Sequence, residues 1–235
     1  MKSERWLAID TATDVASIAV GRAGGVEAAR SIRGARQHAA QIVPLIQEVL
    51  TLAGVKVEHV IGVVVGDGPG SFTGLRIGWA AAKAIAHESG LPVVAVPSLL
   101  GAAHAAAAGE AGPVAACFDA LRGQVFGAIY DFRADRIETL VAPELVTLAE
   151  LARVTPVRPL LAVGDGAVRY PDEIVSWTGR SPVPLDALPP IAGSLLALAP
   201  LVGYPATAEP IYGRPAEAQV KWEARHGRAL PHSPR

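Results

Sequence analysis

The sequence predicts an α/β protein of two similar lobes with mixed β-sheets, the second lobe reduced. Three observations carry this. One pattern occurs twice: a strand ends in an aspartate, turns over a few residues and doubles back, once at Asp10 and once at Asp119. The continuous apolar runs 60–65 and 93–96 are rich in valine and suit strands buried on both faces. Segments of helical spacing lie between and after these runs. With 51% apolar but only 5% aromatic residues in a chain of 235, the core must be aliphatic, and disorder of the whole chain is excluded.

The elements follow in order. Residues 6–9 read as a strand, 10–14 as a turn, 15–20 as the returning strand and 26–32 as a third strand. Over 37–53, Ile42, Leu45, Ile46, Val49 and Ala53 share one helix side, and Gly54 stops it. Strand 60–65 leads through a Gly/Pro-rich loop, 66–70, into a helix that runs to Ser89 and is closed by Gly90. Strand 93–96 precedes an alanine-rich helix ending near Ala108. The opening pattern then returns, with a strand 114–118, a turn 119–123 and a strand 124–130. A mixed segment to Arg158, a strand 159–163, a proline-rich stretch 182–190 and a helix 191–202 follow. The expected division is a first lobe at 1–104 and a second at 105–204. A segment at 205–222 returns towards the first lobe, and 223–235 forms a flexible tail. An aspartate ending the first strand of each lobe, facing a cleft, is how the actin and sugar-kinase architecture places its phosphate loops.

Charge and composition narrow the function classes. There are 21 basic and 22 acidic residues, scattered, for a net charge of −1, which does not make the basic stripe of a protein that grips nucleic acid by itself. Only the tail, with Arg225, Arg228 and Arg235, is locally basic, and it reads as a solvated end. No segment reaches the roughly 18 uncharged apolar residues of a membrane span. The start Met1-Lys2-Ser3-Glu4-Arg5-Trp6 is not a signal peptide, so a cytoplasmic protein is expected. Cys117 is the single cysteine, which rules out an internal disulfide; inside an apolar strand it reads as buried and inert. No two of His38, His59, His87, His104, His226 and His232 lie three or four apart, so no metal site is expected. His38 reads as a capping or surface residue.

The most specific stretch runs Gly66-Asp67-Gly68-Pro69-Gly70-Ser71-Phe72-Thr73-Gly74-Leu75-Arg76-Ile77-Gly78. Glycines at 68 and 70 allow positive φ, and Ser71 or Thr73 can cap the helix. Two readings stand: free amides that hold an anion at the helix start, or a tight connection with no ligand. The stretch is neither a P-loop nor a dinucleotide fingerprint, and Ser71 lacks a nucleophile elbow. Asp10 with Thr11, and Asp119, either bind magnesium and phosphate across a cleft or cap their own turns through Asx-type bonds. No catalytic residue is assigned.

Several segments resemble the TsaB family, also called YeaZ: Ala8-Ile9-Asp10-Thr11-Ala12-Thr13, Arg36-Gln37-His38, the stretch from Gly68 to Gly78, Asp119-Ala120-Leu121-Arg122-Gly123-Gln124-Val125-Phe126, and Glu209-Pro210-Ile211-Tyr212-Gly213-Arg214. The resemblance runs from about residue 6 to residue 222. It implies an actin-like ATPase-domain fold, of the RNase H-like kind. It also implies a bacterial scaffold subunit in the synthesis of threonylcarbamoyladenosine, a tRNA modification beside the anticodon. The implied partners are TsaD, which transfers the threonylcarbamoyl group, and the ATPase TsaE. A homodimer is expected when the chain is alone, and contact with tRNA only through the complex. No cofactor of its own is implied, with ATP and magnesium entering through the complex. The metal-binding histidine pair of TsaD is absent here, and Leu121, Gln124 and Phe126 depart from the family's usual residues. The alternative reading is an enzyme, either a phosphotransferase using Asp10 and Asp119 or a peptidase; neither finds a complete set of catalytic groups.

A docking face is expected on the first two long helices. Ile42, Val43, Ile46 and Leu50 lie within an apolar arc of roughly half the first helix's circumference. The second helix repeats Gly74, Gly78, Ala82 and Ala86 every fourth position, beside Trp79 and Ile85. Small side chains in such a row let another helix approach closely. The face is expected to pair with TsaD or with a second copy, and a lysine at Ala82 to break both assemblies in a folded monomer. The other reading is that both helices pack only on their own sheet.

Overall fold

The computed structural model describes residues 4–22, 25–34, 37–134, 136–205, 209–215, 221–222 and 225–227. Arg36 and residues 228–235 of the basic tail, named above, lie outside the described residues.

The first sheet begins as a meander. β1 (Arg5–Asp10) pairs antiparallel with β2 (Val15–Arg22), placing Ile9 opposite Ile18, and β2 pairs with β3 (Gly25–Arg33). β4 (Val60–Gly66) and β5 (Val93–Val96) add in parallel on the other side of β1. Between these strands come α1 (His38–Leu52) and α2 (Phe72–Ser89). Both pack on one face of the sheet and bury Leu7, Ile9, Val63 and Val65 against Leu45, Val49, Trp79 and Ala82. α3 (Ser98–Ala107) then crosses to the other face.

The second sheet repeats the plan. β6 (Gly112–Asp119), β7 (Val125–Phe132) and β8 (Ile137–Val146) form an antiparallel meander, and β9 (Leu161–Val163) joins β6 in parallel. The mixed segment of the sequence thus holds β8 and α4 (Leu148–Val154), which starts in a Thr147–Glu150 capping box. Two short helices, α5 (Asp165–Arg169) and α6 (Pro171–Thr178), have no counterpart in the sequence reading. They are short enough that helical periodicity barely registers.

α7 (Ile191–Val202) and the first residue of β10 (Tyr204–Pro205) fall in the span 105–204 expected for the second lobe, yet α7 packs on β1 and β2 and β10 pairs with β5. The reason lies in α7's composition. It is apolar almost all round, so it is stable only where both sides are covered. It lies against α3, and both helices fill the space between the sheets, with Ala8, Ala19 and Val64 of the first sheet and Val114, Ala116 and Phe118 of the second in one core. Small residues make that layer thin: a Cβ on Gly101 would stand 2.7 Å from Leu195.

Candidate functional site

Both aspartate turns lie at the ends of the first strands of their sheets, but they are built differently. At the first, Asp10 is fully buried; its Oδ1 accepts the Ala12 N–H at 3.2 Å and its Oδ2 the Ser98 hydroxyl at 2.6 Å. Burial raises the Asp10 pKa, while the Ser98 and Ala12 hydrogen bonds pull it down. The Thr11 hydroxyl donates to the Gly74 carbonyl at 2.8 Å, and the Ser71 N–H donates to the Ala12 carbonyl at 2.7 Å. Ser71 also caps α2, accepting the Gly74 N–H at 3.2 Å.

The start of α2 therefore sits directly on the 10–12 turn, and three glycines four apart make the approach possible. A Cβ on Gly70 would lie 2.1 Å from the Ala12 carbonyl oxygen, on Gly74 2.2 Å from that of Thr11, and on Gly78 2.3 Å from the Thr11 hydroxyl. The expected positive φ holds at Gly68, at 101°, but not at Gly70. Gly70 is needed for closeness rather than for backbone conformation. Magnesium and phosphate at this turn would need free N–H donors for the phosphate and an open carboxylate for the metal. Here the Ser71 and Gly74 amides and both oxygens of Asp10 are committed within the chain, so Asp10 and Thr11 do not fit them.

At the second turn, Asp119 accepts the Leu121 N–H at 3.0 Å through Oδ1 and pairs with Arg169 at 2.8 Å through Oδ2. Leu121 and Arg122 follow with φ of 62° and 55°, a conformation uncommon outside glycine. Asp165 supports the turn, its Oδ1 accepting the Asp119 N–H at 3.0 Å; burial foremost holds its pKa up, at about 6. Each aspartate thus makes an Asx-type bond.

Sequence reasoning missed Asp67. It is 1% exposed; its Oδ2 accepts the Tyr204 hydroxyl, and its Oδ1 has no partner. Burial, and then the charge of Asp10, raises its pKa to about 7. An acid flanked by Gly66 and Gly68 at a strand's end was the available signal. His38 is likewise buried rather than on the surface, and its side chain does not cap α1: its Nε2 lies 3.1 Å from the Asp14 carbonyl. Cys117 is fully buried, and burial pushes its thiol up to about 12, out of reach of nucleophilic chemistry.

The expected docking residues divide. Gly74, Gly78, Trp79, Ala82 and Ala86 face inward, with Ala82 wholly buried and the Trp79 indole donating to the Gly66 carbonyl at 3.2 Å. The small-residue row thus serves contact with the protein's own turn and sheet. Ile42, Ile46 and Leu50 are buried as well, whereas Val43 is 55% exposed. A groove of about 590 Å³ remains between the helices, walled by Val43, Ile46, Leu50, Ala81, Ala84 and Ile85.

Two mixed sheets of one plan, each first strand closed by an aspartate turn, define a two-lobed actin-like protein. The family model of tRNA N6-adenosine threonylcarbamoyltransferase, TsaD, matches residues 18–170. The chain is 33% identical over 162 residues to the tRNA threonylcarbamoyladenosine biosynthesis protein TsaB of Bacillus subtilis, across 67% of this chain and 69% of that protein. It is 36% identical over 149 residues to the TsaB of Escherichia coli, across 60% of this chain and 64% of that protein, so the match spans less than two thirds of that relative. YeaZ from Pseudomonas aeruginosa superposes with a TM-score of 0.72 at 28% identity, covering 89% of this chain and 99% of that one. The chain belongs to the TsaB family. Among the described residues, no helix is long and apolar enough to cross a membrane.

Proposed function

We propose that this chain acts in the synthesis of tRNA threonylcarbamoyladenosine as a non-catalytic partner subunit of TsaD, working with TsaE. The observation that carries the non-catalytic part is the first aspartate turn. Its carboxylate and the neighbouring amides are bonded inside the chain, and the start of α2 packs directly against the turn. The names of the relatives support the pathway. ATP and magnesium then enter through the partners, and tRNA is met only through the complex.

The docking surface is the outer groove of α1 and α2, occupied by TsaD in the complex and by a second copy when the chain is alone. Val43 at 55% exposure and Leu52 at 51% are large apolar side chains on α1. Val43 lines the groove, whose surface is mostly apolar, as obligate interfaces are.

The test is reconstitution. tRNA modification is measured with this chain alone, with TsaD and TsaE alone, and with all three, threonylcarbamoyl-adenylate being supplied. Modified adenosine is expected only in the full set; its formation with this chain as the sole protein overturns the reading. Val43→Asp should remain folded yet lose TsaD and self-association in sedimentation. A folded variant that keeps both assemblies puts the interface elsewhere.

A further inference from the structure

A separate cleft opens at the opposite end of β6 from the Asp119 turn. It lies beside Gly112, between the last turns of α3 and α7 and the hairpin that joins β7 to β8. Its volume is about 680 Å³, the size of a small-molecule site. Ala107, Phe132, Ile137, Leu201 and Val202 give it an apolar wall. Leu195, Leu196 and Leu198 of α7 are buried, whereas Leu201 is 71% exposed and Val202 36%. Large apolar side chains left open to water beside a cavity are the mark of a surface that takes a ligand.

The polar groups on the wall divide into committed and uncommitted ones. Arg133 pairs with the buried Asp131 carboxylate, which fixes that guanidinium. Among the described residues, Arg136 has no ion-pair partner. His104 Nδ1 lies 3.0 Å from the Ser194 hydroxyl, and the ring stands edge-on to Phe132 with centroids 6.0 Å apart. Its Nε2 has no partner among the described residues. Burial lowers the His104 pKa, so the ring is neutral at pH 7 and adds no charge. The same ring lines a smaller cavity of about 330 Å³ with Val26, Pro190 and Leu196.

Charge then orients what can bind. Glu110 and the carbonyl ends of α3 and α7 border the cleft on one side and repel an anion. Arg136 stands on the hairpin side. A negative head group is favoured only there, with an uncharged body against the helix ends. We propose that this cleft binds a small organic anion with an apolar body, of the medium-chain carboxylate class. The carboxylate pairs with Arg136, the hydrocarbon lies on Phe132, Ile137, Leu201 and Val202, and His104 bounds the site towards the smaller cavity. The site shares no residue with the aspartate turns or with the α1–α2 groove.

The probe is octanoate, with octylammonium as the oppositely charged counterpart, titrated into the full chain and followed by methyl and imidazole NMR signals. Octanoate should shift the methyl signals of Ile137, Leu201 and Val202 and the His104 ring, and leave those of Val43 and Ile85 unmoved. Octylammonium should bind there several-fold more weakly. Arg136→Ala should weaken octanoate about three- to fivefold, the worth of one partly exposed ion pair. Leu201→Asp, at an exposed position that leaves the fold intact, should lose octanoate altogether. The absence of shifts at these methyl groups at millimolar octanoate overturns the proposal, as do shifts confined to Val43 and Ile85. So does equal binding of octylammonium, or an octanoate affinity unchanged in folded Arg136→Ala.

Discussion

Gly78→Ala separates two opposite expectations for the small-residue row of α2. Read as an ordinary helix position, the change should stabilise, because alanine is favoured over glycine in a helix interior by about 1 kcal/mol. The structure opposes that gain with a collision: the new Cβ would stand 2.3 Å from the buried Thr11 hydroxyl. Thr11 cannot swing away without breaking its 2.8 Å bond to the Gly74 carbonyl. Overpacking of this kind costs roughly 1–3 kcal/mol, and the upper part of that range applies to a wholly enclosed contact. The net result is a loss of about 1–2 kcal/mol. Thr11→Ala alone should lose about 1 kcal/mol with its hydrogen bond. In the double variant the new methyl group takes the space of the missing hydroxyl, so the two changes should fall short of additivity by about 2 kcal/mol. Urea unfolding of the four proteins completes the cycle. A Gly78→Ala protein more stable than the parent, or one whose loss simply adds to that of Thr11→Ala, refutes the close-approach account.

Three further outcomes follow from the same packing. Gly70→Val places a branched side chain against the Ala12 carbonyl, 2.1 Å from where its Cβ would lie, and should lower the melting temperature sharply; an unchanged melting curve sinks this. Ala82→Lys puts a charge at a position with no exposure and should prevent folding rather than yield a folded monomer, as circular dichroism would show. The Asp67 carboxyl is raised from 3.8 to about 7, so its contribution to stability is whole below about pH 4 and lost as pH rises to about 7. That loss amounts to roughly 4 kcal/mol for one such group. Asp67→Asn should therefore gain stability over the parent at pH 8 and not at pH 4, read from urea midpoints; an equal midpoint shift at both pH values contradicts the assignment.

Much of this protein was legible along the chain. The strands around Ile9, Val64 and Ala115 were readable because alternation and β-branched runs are properties of neighbours in sequence. So was α7, whose expected bounds coincide with Ile191–Val202. The repeated aspartate turns and the Gly68–Gly78 stretch pointed to the TsaB family without any coordinates. What no local pattern contains is which surface each element turns towards. The row Gly74, Gly78, Ala82 and Ala86 suits a helix partner and a buried turn equally well, and only the position of the 10–12 turn, more than sixty residues away in sequence, decides for the turn. Gly70 is glycine because of Ala12, not because of its own φ. α7 belongs to the layer between the sheets because an element apolar on all sides needs two surfaces, and the chain supplies the second one from another lobe. Asp67 became a group of interest only when the fold buried it and set the Tyr204 hydroxyl against it. Short-range periodicity determines the elements; desolvation and close approach between distant segments determine what each side chain does.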